Sequence, residues 1–395
     1  MKYQKKSVSC AQLGGKKVLL RCDFNVPLKG GVISDDTRIR AALDTVRYIL
    51  KEGGAVIACS HLGRPKGQVN PEMSLAPVAV RLGELLGQEV KMAPDCIGAE
   101  TKAMAEALQP GQVLLLENLR FHKEEEKNDP AFAKELAELA DVYVSDAFGT
   151  VHRAHASTAG VADYLPAYCG FLIEAELKAI GGAIEAPQRP LVAVLGGAKV
   201  ADKLAVIDNL LDKADVLLIG GGMSYTFQKA LGGSIGNSLL DAEKIDYVKQ
   251  MMEKAKAKGV KLLLPVDTVT ARAFDDPSDV MTVPALEIPE GREGVDIGEE
   301  TRKIFAAEIE QAGTVIWNGP MGVFEEPAFA LGTNAVTEAM ARCKGITVIG
   351  GGDSVSAVQK AGVADKMTHI STGGGASLEF MEGRELPGIA CLPDA

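Results

Sequence analysis

Cationic and polar side chains follow several apolar runs in the first half of the chain. The segments RCDFNVP, DDTRIR, SHLGRP, LLLENLRF and HRAHAS supply Asp23, Asn25, Arg38, His61, Arg64, Arg120 and Arg153. Arginine forks hold phosphate or carboxylate through paired hydrogen bonds, whereas carboxylate and amide groups suit hydroxyls. Any one arginine alone is better explained as a surface ion pair, and each histidine as a structural one. Several cations at separate strand ends together predict a site for a small anion with hydroxyl groups.

Gly-Gly-Gly triplets occur only in the second half, at positions 220–222, 350–352 and 373–375. Glycine turns expose backbone N–H groups, and a following helix adds partial positive charge, so such loops favour phosphate. In TVIGGGDS, Gly351 and Gly352 precede Asp353, whose carboxylate suits Mg²⁺, and Ser354. Alternatively, Asp353 or Ser354 is an N-cap. Because HISTGGGAS repeats the arrangement, we predict a nucleotide-type phosphate site, with the 220–222 triplet lining the same cleft.

Two lysines follow the glycine pair of LGGAKVADKLA. Their spacing of four predicts that Lys199 and Lys203 lie on one face of a helix. There they would act as point charges on a bound phosphate. The alternative is a solvated pair of surface lysines.

Three familiar nucleotide motifs are missing from the sequence. The chain has no G-x-G-x-x-G, which disfavours dinucleotide binding, and no G-x-x-x-x-G-K-[ST], which excludes a P-loop. It also lacks the HRDxxxxN set, which argues against a protein-kinase fold.

Composition describes an ordinary globular chain. Its 395 residues favour two domains, and its net charge of −11 argues against nucleic acid or an anionic membrane as a partner. The start MKYQKKSVSC has no apolar core of a signal peptide, and no run is long enough to span a membrane. The seven cysteines form no C-x-x-C pair, so we expect reduced core thiols in a cytoplasmic protein.

Apolar runs alternate with helical patterns along the whole chain. This alternation predicts an α/β protein with two doubly wound parallel-sheet, Rossmann-like domains joined by a hinge helix. We expect a first domain over residues 1–172, a connector helix and hinge over 173–187, and a second domain over 188–383. A tail over about 384–395 would pack back on the first domain. Predicted helices include 36–52, 174–185 and 203–213.

In these ordered segments the chain closely resembles the phosphoglycerate kinase family. The resemblance covers nearly the whole length and rests on RCDFNVP, SHLGRP, LLLENLRF, DAFGTVHRAHAS, LGGAKVADK, WNGPMGVFE, VIGGGDS and STGGGAS, in that order. It implies Mg²⁺-dependent, reversible phosphoryl transfer from 1,3-bisphosphoglycerate to ADP, giving ATP and 3-phosphoglycerate. It also implies a monomer of two domains around a hinge.

The resemblance also implies a role for each candidate residue. The triose site would comprise Asp23, Asn25, Arg38, His61, Arg64, Arg120 and Arg153. The nucleotide site would comprise Lys203, Gly294, Glu325, Gly351, Gly352, Asp353 and Ser354, with Asp353 at the metal. Ser224 and Tyr225 stand where Ala and Phe are commoner in the family, which bears on the shape of the base pocket.

The expected chemistry is direct in-line transfer without a phosphoenzyme, since phosphoryl transfer needs mainly positioning and charge neutralisation. Arg38 and Lys199 would flank the moving group, and N–H groups at Gly197 and Gly374 would bind its oxygens. Domain closure would exclude water. Two other classes stay open at this point: a nicotinamide-dependent dehydrogenase, and a non-catalytic anion-binding protein.

Overall fold

The apolar runs form the central strands of two parallel sheets. The computed structural model describes residues 4–395. The chain divides into two units, one comprising residues up to Lys178 together with Glu385–Ala395, the other comprising Ala179–Arg384. Each unit holds one six-stranded parallel sheet, so the predicted fold class is confirmed.

The first unit is built on a sheet of order β5-β6-β4-β1-β7-β8. The strands of this unit are β1 Lys17–Arg21, then β2 Leu28–Lys29 and β3 Val32–Ile33, which form a separate hairpin, then β4 Ala55–Cys59, β5 Val90–Met92, β6 Val113–Leu115, β7 Val142–Ser145 and β8 Ala167–Cys169. Every residue of β4, β6 and β7 is buried. Strands covered on both faces need apolar side chains on both, which explains the unbroken runs.

Helices cover both faces of this sheet. They are α1 Thr37–Ala41, α2 Leu43–Lys51, α3 Ala76–Leu86, α4 Ala99–Ala107, α5 Lys123–Glu126, α6 Pro130–Ala137 and α7 Phe171–Glu176. The single helix predicted over 36–52 is two helices that meet at Ala42. In α2, Leu43, Val46 and Ile49 are buried at helical spacing and pack into the core.

The second unit repeats the design with a sheet of order β12-β10-β9-β17-β18-β19. The strands of this unit, inside and outside that sheet, are β9 Leu191–Leu195, β10 Val216–Ile219, β11 Ser234–Ile235, β12 Lys261–Leu263, β13 Asp267–Ala271, β14 Met281–Pro284, β15 Glu287–Ile288, β16 Glu293–Ile297, β17 Thr314–Asn318, β18 Ile346–Gly350 and β19 His369–Ile370. The strand order reverses at β9, between β10 and β17. Ligands of open α/β sheets bind beyond the carboxyl ends of strands at such a switch point.

The helices of the second unit are α8 Gly182–Glu185, α9 Leu204–Leu211, α10 Ser224–Ala230, α11 Ile245–Lys258, α12 Glu299–Glu310, α13 Leu331–Arg342, α14 Gly352–Lys360 and α15 Gly375–Met381. The only tryptophan of the chain, Trp317 on β17, is fully buried in this core. Its indole N–H donates to the carbonyl of Gly319 at 2.8 Å.

An antiparallel sheet of order β14-β13-β16 also belongs to the second unit, and the sequence patterns did not predict it. Only Val283 of β14 is buried, so this strand lacks the unbroken apolar run that marked the others. The pairing of β13 with β16 shifts register between Val269 and Thr270.

The connector differs from its prediction over residues 174–185. It begins earlier, as α7, continues through a π-helical segment Leu177–Gly181 and ends with α8. The boundary between the two units, after Lys178, lies in this π-helical segment. The tail carries the last helix, α16 Pro387–Ala390, and there Gly388 N donates to Val151 O at 2.8 Å.

The cysteines form no disulfide, and all seven lie within the described residues. Cys96 is buried near His122 and Asp95, and burial raises the pKa of its thiol. Asp95 accepts hydrogen bonds from Cys96 N at 2.6 Å and from His122 Nε2 at 2.7 Å. Over residues 4–395, no helix has the length and apolarity needed to cross a bilayer.

Candidate functional site

The first unit gathers its candidate residues beyond the carboxyl ends of β1, β4, β6 and β7. Arg21, the last residue of β1, is only 1% exposed although it is charged. Its Nε donates to Ser157 Oγ at 2.8 Å, and Nη2 lies 3.3 Å from His61 Nδ1. Because a guanidinium only donates, Nδ1 of His61 must accept, which leaves the ring proton on Nε2.

Four arginines surround His61. Burial, together with the charges of Arg21, Arg120, Arg38 and Arg153, holds the pKa of His61 well below its usual value. The pKa of His155 is also lowered, to about 4, by burial and by the charges of Arg120, Arg21 and Arg153. Both imidazoles are therefore neutral near pH 7. The predicted arginines Arg38, Arg120 and Arg153 lie around one place in this unit.

Asp23 and Asn25 lie directly after β1, as predicted, and both are half-buried. Asp23 Oδ2 accepts from Arg38 Nη1 at 2.5 Å, so the carboxylate orients this half-exposed guanidinium. Asn25 Oδ1 accepts from Gly63 N at 2.9 Å and so ties the loop after β1 to the loop after β4. Arg64 follows this contact and is exposed.

Buried polar groups order the loops around these cations. Arg120 donates from Nη1 to Gly63 O at 2.9 Å. Asn118 accepts from Leu62 N at 3.1 Å and donates to Leu62 O at 2.7 Å. Glu125, fully buried, accepts from both Ser157 N at 2.9 Å and Ser157 Oγ at 2.5 Å.

Sequence reasoning gave Arg21, Asn118 and Glu125 no role in the site, although Arg21 is one of the strand-end arginines of the first half that suggested an anionic ligand. The available signal for Arg21 was a charge inside the otherwise apolar run KVLLRCDF. A charge inside a buried strand must find partners, and here it supports His61. The signal for Asn118 and Glu125 was weaker, since polar residues near strand ends are common.

The second unit has a cavity of about 370 Å³ at the carboxyl ends of β9, β17, β18 and β19. Four loops line it: residues 196–203 after β9, 318–320 after β17, 351–353 after β18 and 374–378 before and within α15. The predicted residues Gly197, Lys199, Lys203, Gly351, Gly352, Asp353 and Gly374 all lie in this lining.

Lys203 is the principal cation of the cavity. Its Nζ donates to Oδ1 of Asn318, a buried residue that sequence reasoning missed. Burial lowers the pKa of Lys203 to about 8, against the opposing charges of Asp202, Asp353 and Glu382. The Nδ2 group of Asn318 is buried and has no hydrogen-bond partner among the described residues. This amide is therefore a free donor beside a cation.

Lys199 departs from its prediction. It is the N-cap of a short 3₁₀ helix, Val200–Lys203, and has extended backbone dihedrals. The two lysines thus do not share a face of one helix, and the prediction that they do was wrong. The α-helix itself begins only at Leu204. Both side chains still belong to the cavity lining, with Lys199 exposed and Lys203 half-buried.

The glycine loops expose bare backbone to this cavity. Gly351, with φ of +85°, is the N-cap of α14, and Gly374, with φ of +51°, is the N-cap of α15. A Cβ atom at Gly197, Gly352 or Gly374 would meet no atom within 4 Å. Their open sides leave room for a ligand at two helix N-termini.

Asp353 and Ser354 are not N-caps, because Gly351 occupies that position. Asp353 lies in the first turn of α14 with an exposed carboxylate in the cavity lining. Its oxygens are the donors that a hard divalent ion prefers, so the residue fits Mg²⁺. Ser354 is fully buried, and its Oγ accepts from Gly319 N at 2.7 Å. It therefore supports the loop after β17.

The triplet at 220–222 does not line the cavity. A Cβ at Gly220 would lie 2.4 Å from Met321 Sδ, one at Gly221 would lie 2.7 Å from Gly197 N, and one at Gly222 would lie 2.6 Å from Ala198 O. These glycines let the loop after β10 pack closely behind the loops after β9 and β17. Their role is packing, contrary to the expectation.

Gly294 and Glu325 are not among the residues that line this cavity. Gly294, on β16, donates from N to Ser238 Oγ at 2.8 Å, and a Cβ there would lie 2.2 Å from Tyr225 Oη. Glu325 is exposed on the segment between β17 and α13.

Comparison with known proteins agrees with this architecture. The family model described as phosphoglycerate kinase matches residues 8–384. The phosphoglycerate kinase of Clostridium novyi (strain NT) is 59% identical over 397 residues, with 100% of each chain covered. A solved structure of phosphoglycerate kinase from Coxiella burnetii superposes with a TM-score of 0.92 at 43% identity, covering 98% of each chain.

A more distant solved structure, phosphoglycerate kinase from Pyrococcus horikoshii OT3, shares 33% identity with a TM-score of 0.80, again over 98% of each chain. The relatives span the whole chain, so the resemblance inferred from eight segments is confirmed. This chain belongs to the phosphoglycerate kinase family, whose members are phosphotransferases with a carboxyl group as acceptor.

Proposed function

We propose that the chain transfers a phosphoryl group reversibly between 1,3-bisphosphoglycerate and ADP, with each unit holding one substrate. The observation that carries the proposal is the separation of two different anion sites. One is a set of arginines around a neutral histidine, and the other is a glycine-lined cavity with a buried lysine. Family membership supports the reaction, and the two sites support the division of the substrates.

The proposed nucleotide site is the cavity of the second unit. Lys203, the free amide of Asn318 and the N-termini of α14 and α15 supply positive charge and N–H donors for phosphates. Gly351, Gly352 and Ser354 shape the phosphate loop. Gly294 and Glu325 would contact the base and the ribose. A lysine with a pKa near 8 stays mostly protonated at pH 7, and a bound phosphate would raise that pKa.

The proposed triose site is the arginine set of the first unit. Arg64, Arg120 and Arg153 would bind the phosphate and the carboxyl end of the triose, while Asp23, Asn25 and neutral His61 would bind its hydroxyl. A neutral imidazole with its proton on Nε2 can donate to a hydroxyl or carboxylate without adding charge.

We further propose that Asp353 contacts Mg²⁺ of the metal–nucleotide substrate. When bound, the ion neutralises phosphate charge. The chain's own residues do the remaining work: Lys203 and the loop N–H groups orient the nucleotide, and Arg38 and Lys199 neutralise the transferred group. Transfer would be direct and in line, with N–H groups of Gly197 and Gly374 binding equatorial oxygens. The proposal requires the two substrates to meet, with residues 173–187 as the hinge between domains 1–172 and 188–383.

The test is a coupled assay of 3-phosphoglycerate-dependent ATP consumption by the full chain. We expect turnover that needs both substrates and Mg²⁺. Tight binding of NADH with no such turnover would favour the dehydrogenase class, and anion binding without turnover would favour a non-catalytic protein. We also expect a cytoplasmic monomer that binds no nucleic acid, which size-exclusion chromatography with light scattering and a filter-binding assay would check.

A further inference from the structure

Asp296 is a buried carboxylate that the proposed substrates do not use. It lies on β16 and is 1% exposed. Oδ2 accepts from Gly332 N at 2.7 Å, and Oδ1 accepts from Ile297 N at 2.8 Å. Gly332 lies in the first turn of α13, so this carboxylate fixes the start of that helix.

The same carboxylate also touches the chain ten residues earlier. A Cβ at Gly322 would lie 2.6 Å from Asp296 Oδ1, and a Cβ at Gly332 would lie 2.2 Å from the same oxygen. Both glycines are therefore pressed against one side chain, where a larger residue would not fit. Asp296 thus bonds to one end of the segment 322–332 and packs against the other.

This segment carries Glu325, the residue proposed to contact the ribose. Between these ends it makes one bond to the neighbouring strand, from Val323 N to Val295 O at 2.9 Å. Glu325 itself is exposed. On β16, Asp296 pairs with Val269 and Gly294 with Thr270, so the strand has an irregularity at Val295 between them.

We propose that Asp296 is a positioning residue for nucleotide binding, acting through the segment 322–332 on Glu325. The inference rests on the proposed function, because it takes Glu325 as a nucleotide contact. Its chemistry is that of two acceptor oxygens in one buried group, each bonded to a different backbone N–H.

The test variant is Asp296→Asn, which keeps the size of the side chain. An amide has one acceptor oxygen, so its Nδ2 would face either Gly332 N or Ile297 N and lose that bond. We expect KM for ATP, and the Kd for ADP measured by titration calorimetry, to rise about tenfold. KM for 3-phosphoglycerate should change by less than about twofold.

Asp267→Asn is the matched control in the same unit. Asp267 also accepts backbone bonds at a helix start, from Thr301 N at 2.9 Å and Glu300 N at 3.0 Å. It also crowds a glycine, since a Cβ at Gly298 would lie 2.2 Å from its Cγ. Its backbone bonds go to the start of α12 and not to the segment 322–332. We expect a lower Tm for this control and an unchanged Kd for ADP.

A double-mutant cycle with Glu325→Ala shows whether Asp296 acts through Glu325. In the Glu325→Ala background, Asp296→Asn should weaken ADP binding by less than about twofold. Full additivity of the two changes would overturn the inference, as would an unchanged Kd in Asp296→Asn or an equal loss in the Asp267→Asn control. If wild type lacked ATP-dependent turnover, the proposed function itself would fail, which is a separate result.

Should Asp296→Asn not fold, Gly322→Ala is the second variant. Its Cβ would meet Asp296 Oδ1 and Val295 O, which lies 2.5 Å away. It should displace the same segment and raise the Kd for ADP. A folded Gly322→Ala protein with wild-type ADP affinity would equally contradict the inference.

Discussion

At the scale of single residues, the two histidines in the cationic site of the first unit are held in the neutral form. Arg21 donates to Nδ1 of His61, so that ring cannot take a second proton without facing a guanidinium. Burial and the charges of Arg120, Arg21 and Arg153 lower the pKa of His155 to about 4, so it is neutral as well. The site therefore keeps its positive charge on arginines, whose charge does not change over the physiological pH range.

Arg38 is the residue whose loss should most affect the chemical step. Its guanidinium is half-exposed and oriented by Asp23. We expect Arg38→Ala to lower kcat by at least about a hundredfold, the usual cost of one preorganised charge at a transition state. KM for ATP should stay near the wild-type value. Steady-state kinetics with both substrates varied would measure this.

Arg40→Ala is the control for that prediction. Arg40 lies on the same helix, α1, but pairs with Asp36 at 2.9 Å. This exposed pair has no proposed role in the site, so the control should keep its kcat. Near-normal turnover of Arg38→Ala would remove Arg38 from the mechanism.

Asp353 allows a test of the metal proposal. We expect Asp353→Asn to raise the Kd for Mg–ATP roughly tenfold, because the amide lacks the negative charge that favours a divalent ion. Affinity for 3-phosphoglycerate should not change. Titration calorimetry at two Mg²⁺ concentrations would measure both, with the exposed Asp365→Asn as the control outside the cavity. A loss confined to triose binding would reverse the assignment of the two sites.

At the scale of elements, the sequence predicted most of what lies in the two parallel sheets. VLLLENL and LVAVLGG are unbroken apolar runs because β6 and β9 are covered on both faces. β14 was missed because three of its four residues are exposed. Lys199 was placed on a helix because spacing alone cannot show that a 3₁₀ turn precedes α9. The packing of Gly220–Gly222 depends on contacts far apart in the sequence.

Substitutions at two glycines should distinguish a role in ligand binding from a role in folding. At Gly352 a Cβ would meet nothing within 4 Å, so Gly352→Ala should fold normally but crowd the cavity and weaken ADP binding. At Gly221, φ is +66° and a Cβ would lie 2.7 Å from Gly197 N and Pro320 O. Gly221→Ala should lower the free energy of unfolding by about 1–3 kcal/mol, from backbone strain and close contact.

Urea unfolding and ADP titration of both variants would measure these effects. If Gly352→Ala lost stability and kept its affinity, the open face at the start of α14 would not be a ligand surface.

At the scale of the whole molecule, buried acids make stability depend on pH. Burial raises the pKa of Asp146 to about 7. This residue lies after β7 and accepts from Leu172 N at 2.9 Å at the start of α7. In the unfolded chain the carboxyl has a pKa of about 3.9. Its contribution to stability is thus complete below about pH 4 and is lost as the pH rises to about 7.

Asp146→Asn should remove this dependence. Because the amide does not ionise, the variant should gain stability relative to wild type as the pH rises. The free energy of unfolding of the variant minus that of wild type should be larger at about pH 8 than at about pH 5. Urea titrations followed by circular dichroism at both values would measure the difference. An equal difference at the two values would show that Asp146 is not the titrating group.

Trp317 gives the molecule a natural optical probe. Since it is the only indole in the chain and is fully buried in the second unit, tryptophan emission reports on that unit alone. The next residue, Asn318, lines the cavity, so a ligand there sits within one residue of the fluorophore. Binding of 3-phosphoglycerate in the first unit alone should then leave this emission unchanged. A change in that signal would be a label-free measure of communication from one unit to the other.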